Sequence, residues 1–152
     1  PAYEDAQRVP FVVCHQDCVT PGAESHALQS LVDVGVTCLS AAGLELPPGV
    51  QGVDQQPAWI DAGKRVREWA MVEFRPAESS FMQRTYIEQR WKLVVYHDRD
   101  YGELYDLEAD PEQLNNLWEK AAYREVREAL LMRLVSAEME KDGALRDRPA
   151  PA

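Results

Sequence analysis

Two cysteines and a histidine lie close together near the start of the chain, as Cys14, His15 and Cys18. Thiolates and imidazoles at such spacings bind zinc, but a zinc site usually needs four ligands and commonly a second cysteine pair. The third cysteine, Cys38, stands alone in the sequence. We therefore interpret the segment as a loop and expect no metal site there.

Acidic residues recur at alternate positions in two short runs between Asp98 and Asp110. A calcium loop of the EF-hand type that began at Asp106 would need glycine at its sixth position, where the sequence has Pro111. We therefore expect these carboxylates to stabilise turns and a helix start. A glycosidase pair is not indicated either, because the chain has 26 acidic residues and any two of them would satisfy the search.

The composition is that of a globular domain, with 152 residues, 45% of them hydrophobic and 28% charged. The formal net charge of -10 disfavours nucleic acid and anionic membranes as partners. We find no membrane span and no signal peptide in the sequence, and three cysteines imply no disulfide framework, so the cellular compartment stays unknown. The first residue is Pro1 rather than methionine, which we interpret as a cut point within a longer protein or as the residue left by trimming.

The first part of the chain has the pattern of one strand and one helix. The apolar run at residues 9–13 predicts a buried strand, and residues 25–42 have apolar residues at helical spacing. Gly43 follows where a C-terminal cap belongs. Residues 45–64 are rich in proline, glycine and glutamine and predict a long loop.

The second part predicts four short strands followed by a long helix. Period-two patterns cover residues 69–74, 84–88, 91–96 and 102–107, with turn residues between them. Short connections favour an antiparallel meander. Residues 110–141 return to helical spacing, with Asp110 as the expected N-cap. We expect one apolar stripe of the helix to pack on the sheet, with the strand aromatics in the core; the stripe consists of Tyr123, Val126, Leu130, Leu134 and Ala137.

Several short motifs, taken in order, resemble the last third of a sulfatase, a family of the alkaline phosphatase superfamily. They run from Tyr3 to Leu117, and the sharpest are Glu103-Leu104-Tyr105-Asp106-Leu107, Asp110-Pro111 and Asn116-Leu117. Others are Tyr3-Glu4 with Arg8-Val9-Pro10, Ser30 to Val34, Gln51-Gly52 and Trp91-Lys92-Leu93-Val94. The sequence departs from the family pattern at Val36 and at Val53-Asp54, which concerns the path of the chain more than its chemistry.

The resemblance implies a catalytic apparatus that this chain does not carry. Sulfatases use a formylglycine, made from the first residue of a Cys/Ser-x-Pro-x-Arg motif, and a divalent metal, usually calcium. None of the three cysteines has proline two residues later, and no serine fits the motif. The catalytic lysine of the family is expected a few residues before Tyr3. We therefore expect no catalytic residue, no metal ligand and no cofactor in this chain, and place calcium and formylglycine in a missing N-terminal part.

The implied organisation is an α+β fold in which a strand–helix fragment of the larger catalytic domain precedes the sheet and its helix. Residues 1–64 would be the tail of the α/β catalytic domain, residues 65–145 a C-terminal subdomain and residues 146–152 a disordered tail. In the intact enzyme the subdomain would shape the pocket for a small-molecule sulfate ester. The substrate-binding candidates are His15, in the loop after the first strand, Arg75, after the strand at 69–74, and His97, in a polar turn.

Two alternatives stay open at this point. The same superfamily layout also serves phosphonate and phosphate ester hydrolases, and the sequence does not separate them from sulfatases. The other alternative is a stand-alone binding or interaction module without catalysis. For the isolated chain we predict no turnover of an aryl sulfate. We also predict self-association, domain swapping or disorder of residues 1–64, because residues 9–13 and the apolar face of 25–42 would lack their cover.

Overall fold

The computed structural model describes residues 3–15, 19–77 and 81–144. A short 3-10 helix, Ala121–Tyr123, precedes the last α-helix. The elements are helices α1 (Glu4–Gln7), α2 (Leu31–Ala41), α3 (Gln56–Ile60) and α4 (Arg124–Ala144), and strands β1 (Trp69–Phe74), β2 (Gln83–Glu88), β3 (Trp91–Tyr96) and β4 (Gly102–Asp106). The predicted α+β class, with a four-stranded antiparallel sheet and a C-terminal helix, is confirmed.

The sheet is a meander in which each strand pairs with the next one along the chain. The register places Met71 opposite Tyr86, Tyr86 opposite Leu93 and Leu93 opposite Leu104. The predicted tight turn at residues 89–90 joins β2 to β3, where the Arg90 guanidinium binds the Asp106 carboxylate with an Nη2–Oδ2 distance of 2.7 Å. This pair connects the hairpin turn to the end of β4.

Both faces of the sheet are buried, although their compositions differ. One face carries Tyr86, Leu93 and Leu104. The Trp91 ring contacts Tyr123 with 6.2 Å between centroids, and Arg133 of α4 binds Glu88. Four members of the predicted stripe, Val126, Leu130, Leu134 and Ala137, are buried or half-buried, as is Tyr123.

The residues form two units along the chain. The first unit contains residues 1–12 and 68–133, which include the sheet and the first half of α4. The second contains residues 13–67 and 134–152, which include α2, α3 and the second half of α4. The predicted domain boundary between residues 64 and 65 stays a prediction, and the predicted tail 146–152 lies outside the described residues. Within the described ranges no helix is both long and apolar enough to cross a membrane.

The predicted strand at residues 9–13 does not form. A strand needs a neighbouring strand to receive its backbone hydrogen bonds, and the described parts of the chain place none beside it. Pro10 also removes one donor from this segment. Its side chains are largely exposed, and Val12 is 90% exposed.

The predicted helix at residues 25–42 is shorter than expected, since α2 begins at Leu31. Before it the chain is extended, and side chains fix it to the loop that follows: Ser25 Oγ donates to the Ala62 carbonyl at 3.2 Å, and Gln29 Oε1 accepts from Trp59 Nε1 at 2.9 Å. The predicted cap at Gly43 is confirmed by a φ of 67°. The predicted loop at 45–64 contains the five-residue helix α3.

The predicted helix start at Asp110 was wrong, because the long helix begins only at Arg124. The Asp110 carboxylate does accept backbone N–H groups, those of Leu114 and Asn115, but it stabilises a turn. The Asn116 side chain then binds the outer edge of β4, accepting from Leu104 N at 3.0 Å and donating to the Gly102 carbonyl at 3.1 Å. These bonds pair backbone groups at the outer edge of β4, and they hold residues 110–116 in a turn, so that the long helix begins later in the chain.

Candidate functional site

Two of the three predicted substrate-binding residues lie at the same end of the sheet. Arg75 follows β1 and His97 follows β3, and the register aligns Phe74 with Gln83 and Gln83 with Tyr96. Because one strand separates them, their backbones are about 10 Å apart. Both residues are exposed. A guanidinium and an imidazole at this separation suit an anionic group of a small molecule.

An aromatic cluster occupies the same end of the sheet. Phe81 contacts both Phe74 and Tyr96, with ring centroids 6.0 and 5.5 Å apart, and Tyr96 contacts Tyr101 at 5.2 Å. Tyr101 is exposed, whereas Tyr105 is buried. The sequence predicted that the strand aromatics form the core. Tyr86 and Tyr105 inside the sheet are buried as predicted, whereas Phe74 at its end is exposed. The exposed rings can contact the carbon skeleton of an organic anion whose charged group meets the Arg75 guanidinium and the His97 imidazole.

The third candidate, His15, belongs to the second unit and is exposed there. Its backbone carbonyl accepts the N–H of Val19 at 3.1 Å. Of the neighbouring cysteines, Cys14 is an exposed free thiol and Cys18 lies outside the described residues. Among the described residues, no group of three or more His, Cys, Asp and Glu side chains is placed to hold a metal ion.

The second face of the sheet carries buried polar residues beside the buried Val94, which the sequence reasoning missed. Gln7 Nε2 of α1 and Gln83 Nε2 both donate to the Thr85 hydroxyl, at 3.2 and 2.9 Å. Lys92 is fully buried, and its ammonium donates to Gln113 Oε1 at 2.8 Å. These residues sit at alternate positions on their strands, opposite the apolar positions. The alternation of polar and apolar residues was visible in the sequence, but polar residues at alternate strand positions ordinarily indicate a face that is exposed to solvent.

A single carboxylate on this polar face binds two phenols. Glu103 accepts from the hydroxyl of Tyr96 and, at 2.9 Å, from that of Tyr105. Burial raises the pKa of both phenols, and the Glu103 charge raises it further; a smaller contribution comes from Tyr3, which lies nearby. Both tyrosines therefore stay protonated at neutral pH and act as hydrogen-bond donors. Together, the contacts of Tyr3 and Gln7 place residues 3–7 beside this face.

The second unit contains a buried carboxylate, Asp33 on α2, that is 1% exposed. Burial alone would raise its pKa, but hydrogen bonds from Arg67, Val53, Ser30 and Gln55 outweigh that effect and hold the pKa below its usual range. The Arg67 guanidinium approaches with two nitrogens, and Nε lies 2.9 Å from Oδ2. Gln55 Nε2 donates to the same oxygen at 2.9 Å. The arrangement fixes the loop after α2 to the helix, so its role is structural.

Fold and motifs together define the class of protein, and comparison with known proteins gives the family. Residues 2–140 match the family model described as N-sulphoglucosamine sulphohydrolase, C-terminal. The chain belongs to this family, and the predicted sulfatase resemblance is confirmed.

Similar proteins carry sulfatase names. The chain is 33% identical over 139 residues to an N-acetylglucosamine-6-O-sulfatase of Bacteroides thetaiotaomicron, covering 87% of this chain and 25% of that protein. It is 28% identical over 127 residues to human arylsulfatase K, covering 76% and 23%. The chain thus spans about a quarter of the length of these relatives.

Solved structures share the fold. The structure of BT4656 in complex with its substrate D-glucosamine-2-N,6-O-disulfate has a TM-score of 0.75 and 26% identity, covering 88% of this chain and 28% of that one. A phosphonate monoester hydrolase of Agrobacterium radiobacter has a TM-score of 0.63 and 21% identity, covering 76% and 26%. The second likeness is one of fold alone.

Proposed function

We propose that this chain is the C-terminal portion of a sulfuric ester hydrolase, in which it shapes the substrate pocket and stabilises the catalytic domain. The family match over residues 2–140 and the sulfatase names of the relatives support the reaction class. The missing N-terminal catalytic domain would be the principal partner, and a small-molecule sulfate ester the substrate.

The observation that carries the pocket assignment is the juxtaposition of Arg75 and His97 at one end of the sheet. Both are exposed, and the Phe81 ring contacts Phe74 and Tyr96, the last residues of the two strands that Arg75 and His97 follow. A sulfate monoester combines an anionic group with an organic alcohol, so an end of the sheet that carries a guanidinium, an imidazole and exposed rings complements both halves. The overall charge of -10 makes such a local cationic surface necessary for an anionic substrate.

The residues of this chain do not fit the catalytic groups that the family implies. Formylglycine needs its Cys/Ser-x-Pro-x-Arg motif, which the sequence lacks, and the described residues contain no cluster of metal-ligand type. Bond cleavage is therefore assigned to the upstream part of the enzyme, where calcium and formylglycine would supply charge neutralisation and a nucleophile. This chain would contribute binding and orientation.

The test is steady-state kinetics of the complete polypeptide with Arg75→Ala and His97→Ala. Removing a charged hydrogen bond to a bound anion costs about 1.5–3 kcal/mol, so KM should rise roughly 10- to 100-fold while kcat changes little. Arg124→Ala, an exposed cation at the start of α4, is the matched control and should leave KM unchanged.

Rates for aryl sulfate, phosphonate and phosphate esters, measured in parallel, separate sulfatase activity from the alternative hydrolases. Preferential turnover of the sulfate supports the proposal, whereas preferential turnover of the phosphonate contradicts it. If neither Arg75→Ala nor His97→Ala alters KM, this end of the sheet does not belong to the pocket.

A further inference from the structure

The Glu103 carboxylate binds two tyrosines that lie in different surroundings. The Tyr96 hydroxyl donates to Oε1, and the Tyr105 hydroxyl donates to Oε2 at 2.9 Å. Tyr105 is 3% exposed and lies inside the sheet, where the register pairs it with Lys92. Tyr96 is the last residue of β3, directly before His97. The same carboxylate therefore connects the interior of the sheet with its end.

The Tyr96 ring lies at the centre of the aromatic residues at this end. Its centroid is 5.5 Å from that of Phe81 and 5.2 Å from that of Tyr101, and Phe81 also contacts Phe74. We call these four rings the end cluster. Phe74 and Phe81 are each 38% exposed and Tyr101 is 51% exposed, whereas Tyr96 is half-buried. The exposed rings therefore pack around one ring that is more deeply placed.

The register explains how one carboxylate can fix this ring. The pairing of Val95 with Gly102 continues to Tyr96 and Tyr101, which makes these two rings cross-strand neighbours. Glu103 is two residues farther along β4 and lies on the same face of the sheet. From this diagonal position its side chain reaches the hydroxyl at the tip of the Tyr96 ring. Because a hydrogen bond to a charged acceptor is stronger than one between neutral groups, it restrains the rotation of the Tyr96 side chain.

The backbone beside the ring is restrained as well. His97 N donates to the Met82 carbonyl at 2.9 Å, which extends the pairing of β2 and β3 beyond Tyr96. Phe81 precedes Met82, so ring contacts and a backbone bond join the same two segments. The His97 side chain therefore starts from a fixed position next to the ring that Glu103 holds.

We propose that Glu103 is a positioning residue of the substrate pocket. Its carboxylate holds the Tyr96 ring, and that ring holds the exposed rings of the end cluster in place for the organic half of the sulfate ester. The inference rests on the proposed function. Glu103 is half-buried and accepts hydrogen bonds from the two phenols, so it acts through Tyr96. A direct contact with the sulfate group is disfavoured, because two anions repel each other.

The first measurement is steady-state kinetics of the complete polypeptide with an aryl sulfate and with ethyl sulfate, whose organic half has no ring. Tyr96→Phe and Glu103→Ala should each raise KM for the aryl sulfate roughly 3- to 10-fold, the range of one aromatic contact, with little change in kcat. KM for ethyl sulfate should stay unchanged. The double variant should have the KM of the single variants, because both remove the bond on which binding depends.

Tyr105→Phe is the matched control, because it removes the other phenol bond of the same carboxylate. It should lower the stability of the protein and leave KM unchanged for both esters. Glu103→Gln keeps an acceptor for the Tyr96 hydroxyl and offers a donor to the Tyr105 oxygen. This conservative variant should therefore recover most of the loss that Glu103→Ala produces in KM.

Several kinetic results would overturn the proposal. A KM rise in Tyr105→Phe equal to that in Tyr96→Phe would mean that the carboxylate only supports the sheet. A loss in Glu103→Gln equal to that in Glu103→Ala would mean that the charge itself meets the substrate. An unchanged KM in Tyr96→Phe, or an equal rise for ethyl sulfate, would also contradict it.

Hydrogen exchange of the complete polypeptide, read by mass spectrometry, tests the positioning without turnover. The amides of residues 96–101 should exchange faster in Tyr96→Phe and Glu103→Ala, and at the unmodified rate in Tyr105→Phe. Unchanged exchange in Tyr96→Phe refutes the positioning. Faster exchange in a protein that hydrolyses no sulfate ester supports the positioning and refutes the proposed function alone. Turnover whose KM depends on Arg75 but not on Tyr96 refutes this inference alone.

Discussion

Replacing Asp33 by asparagine tests whether the buried ion pair stabilises the second unit. Arg67, Ser30, Val53 and Gln55 all donate to the Asp33 carboxylate, and both of its oxygens are used. An asparagine NH₂ group would therefore meet donors in either orientation, and the Arg67 charge would lose its partner. Breaking a buried pair in this way costs about 3–5 kcal/mol. For a chain of this size that corresponds to a Tm lower by about 6–20 °C.

The assay is unfolding of the unmodified chain and of Asp33→Asn by calorimetry and urea titration. Glu138→Gln, which weakens the partly exposed pair with Lys141, is the control and should cost at most about 1 kcal/mol. Adding Arg67→Met to Asp33→Asn should recover part of the loss, since it removes the unpaired charge. A loss below about 1 kcal/mol in Asp33→Asn would refute the reasoning.

The same pair predicts a pH dependence whose sign follows from the lowered pKa of Asp33. A carboxylate with a lowered folded-state pKa contributes its full stability above the unfolded value of about 3.9. The contribution is lost as the pH falls through the folded-state pKa. The stability difference between the unmodified chain and Asp33→Asn should thus be constant from pH 7 to about pH 4 and shrink below it.

Two further predictions concern packing. Gly52→Ala should destabilise the chain by about 1–3 kcal/mol, because the new Cβ would lie 2.3 Å from the Val32 carbonyl oxygen. Gly35→Ala, whose Cβ would meet no atom within 4 Å, should stabilise the chain by about 1 kcal/mol. Equal changes of the unfolding free energy in urea for the two variants would contradict this. Leu130→Ala should cost about 2–5 kcal/mol because Leu130 is only 1% exposed, and Met132→Ala, at a 69% exposed residue, should be nearly neutral. A neutral Leu130→Ala in urea unfolding would contradict this.

The sheet was predictable because its signals are local. Period-two patterns and short turns define four strands, and the structure places their ends within one or two residues of the prediction. The prediction of a helix start at Asp110 was wrong because the capping pattern is local in sequence, whereas the contact that competes with the helix joins distant residues. Asn116 binds the edge of β4, 12 residues earlier in the sequence, and no pattern within residues 110–116 reveals that.

The candidate site shows the same division. Arg75 and His97 could be selected from their positions after strands, and the meander register brings them to one end. The Asp33 carboxylate could not be found in this way, because Arg67 is 34 residues away in sequence. The absence of a strand at residues 9–13 could not be predicted either, because an apolar run indicates a strand without revealing whether a partner strand is present.

The central proposal is that this chain is part of a sulfuric ester hydrolase whose ester-cleaving residues lie in the upstream part of the polypeptide. The direct measurement is hydrolysis of an aryl sulfate by the pure 152-residue chain and by the complete polypeptide, with and without calcium. We expect turnover by the complete polypeptide and none by this chain under either condition. Metal-dependent turnover by the pure chain, or a complete polypeptide that is inactive on every sulfate ester tested, would contradict the account.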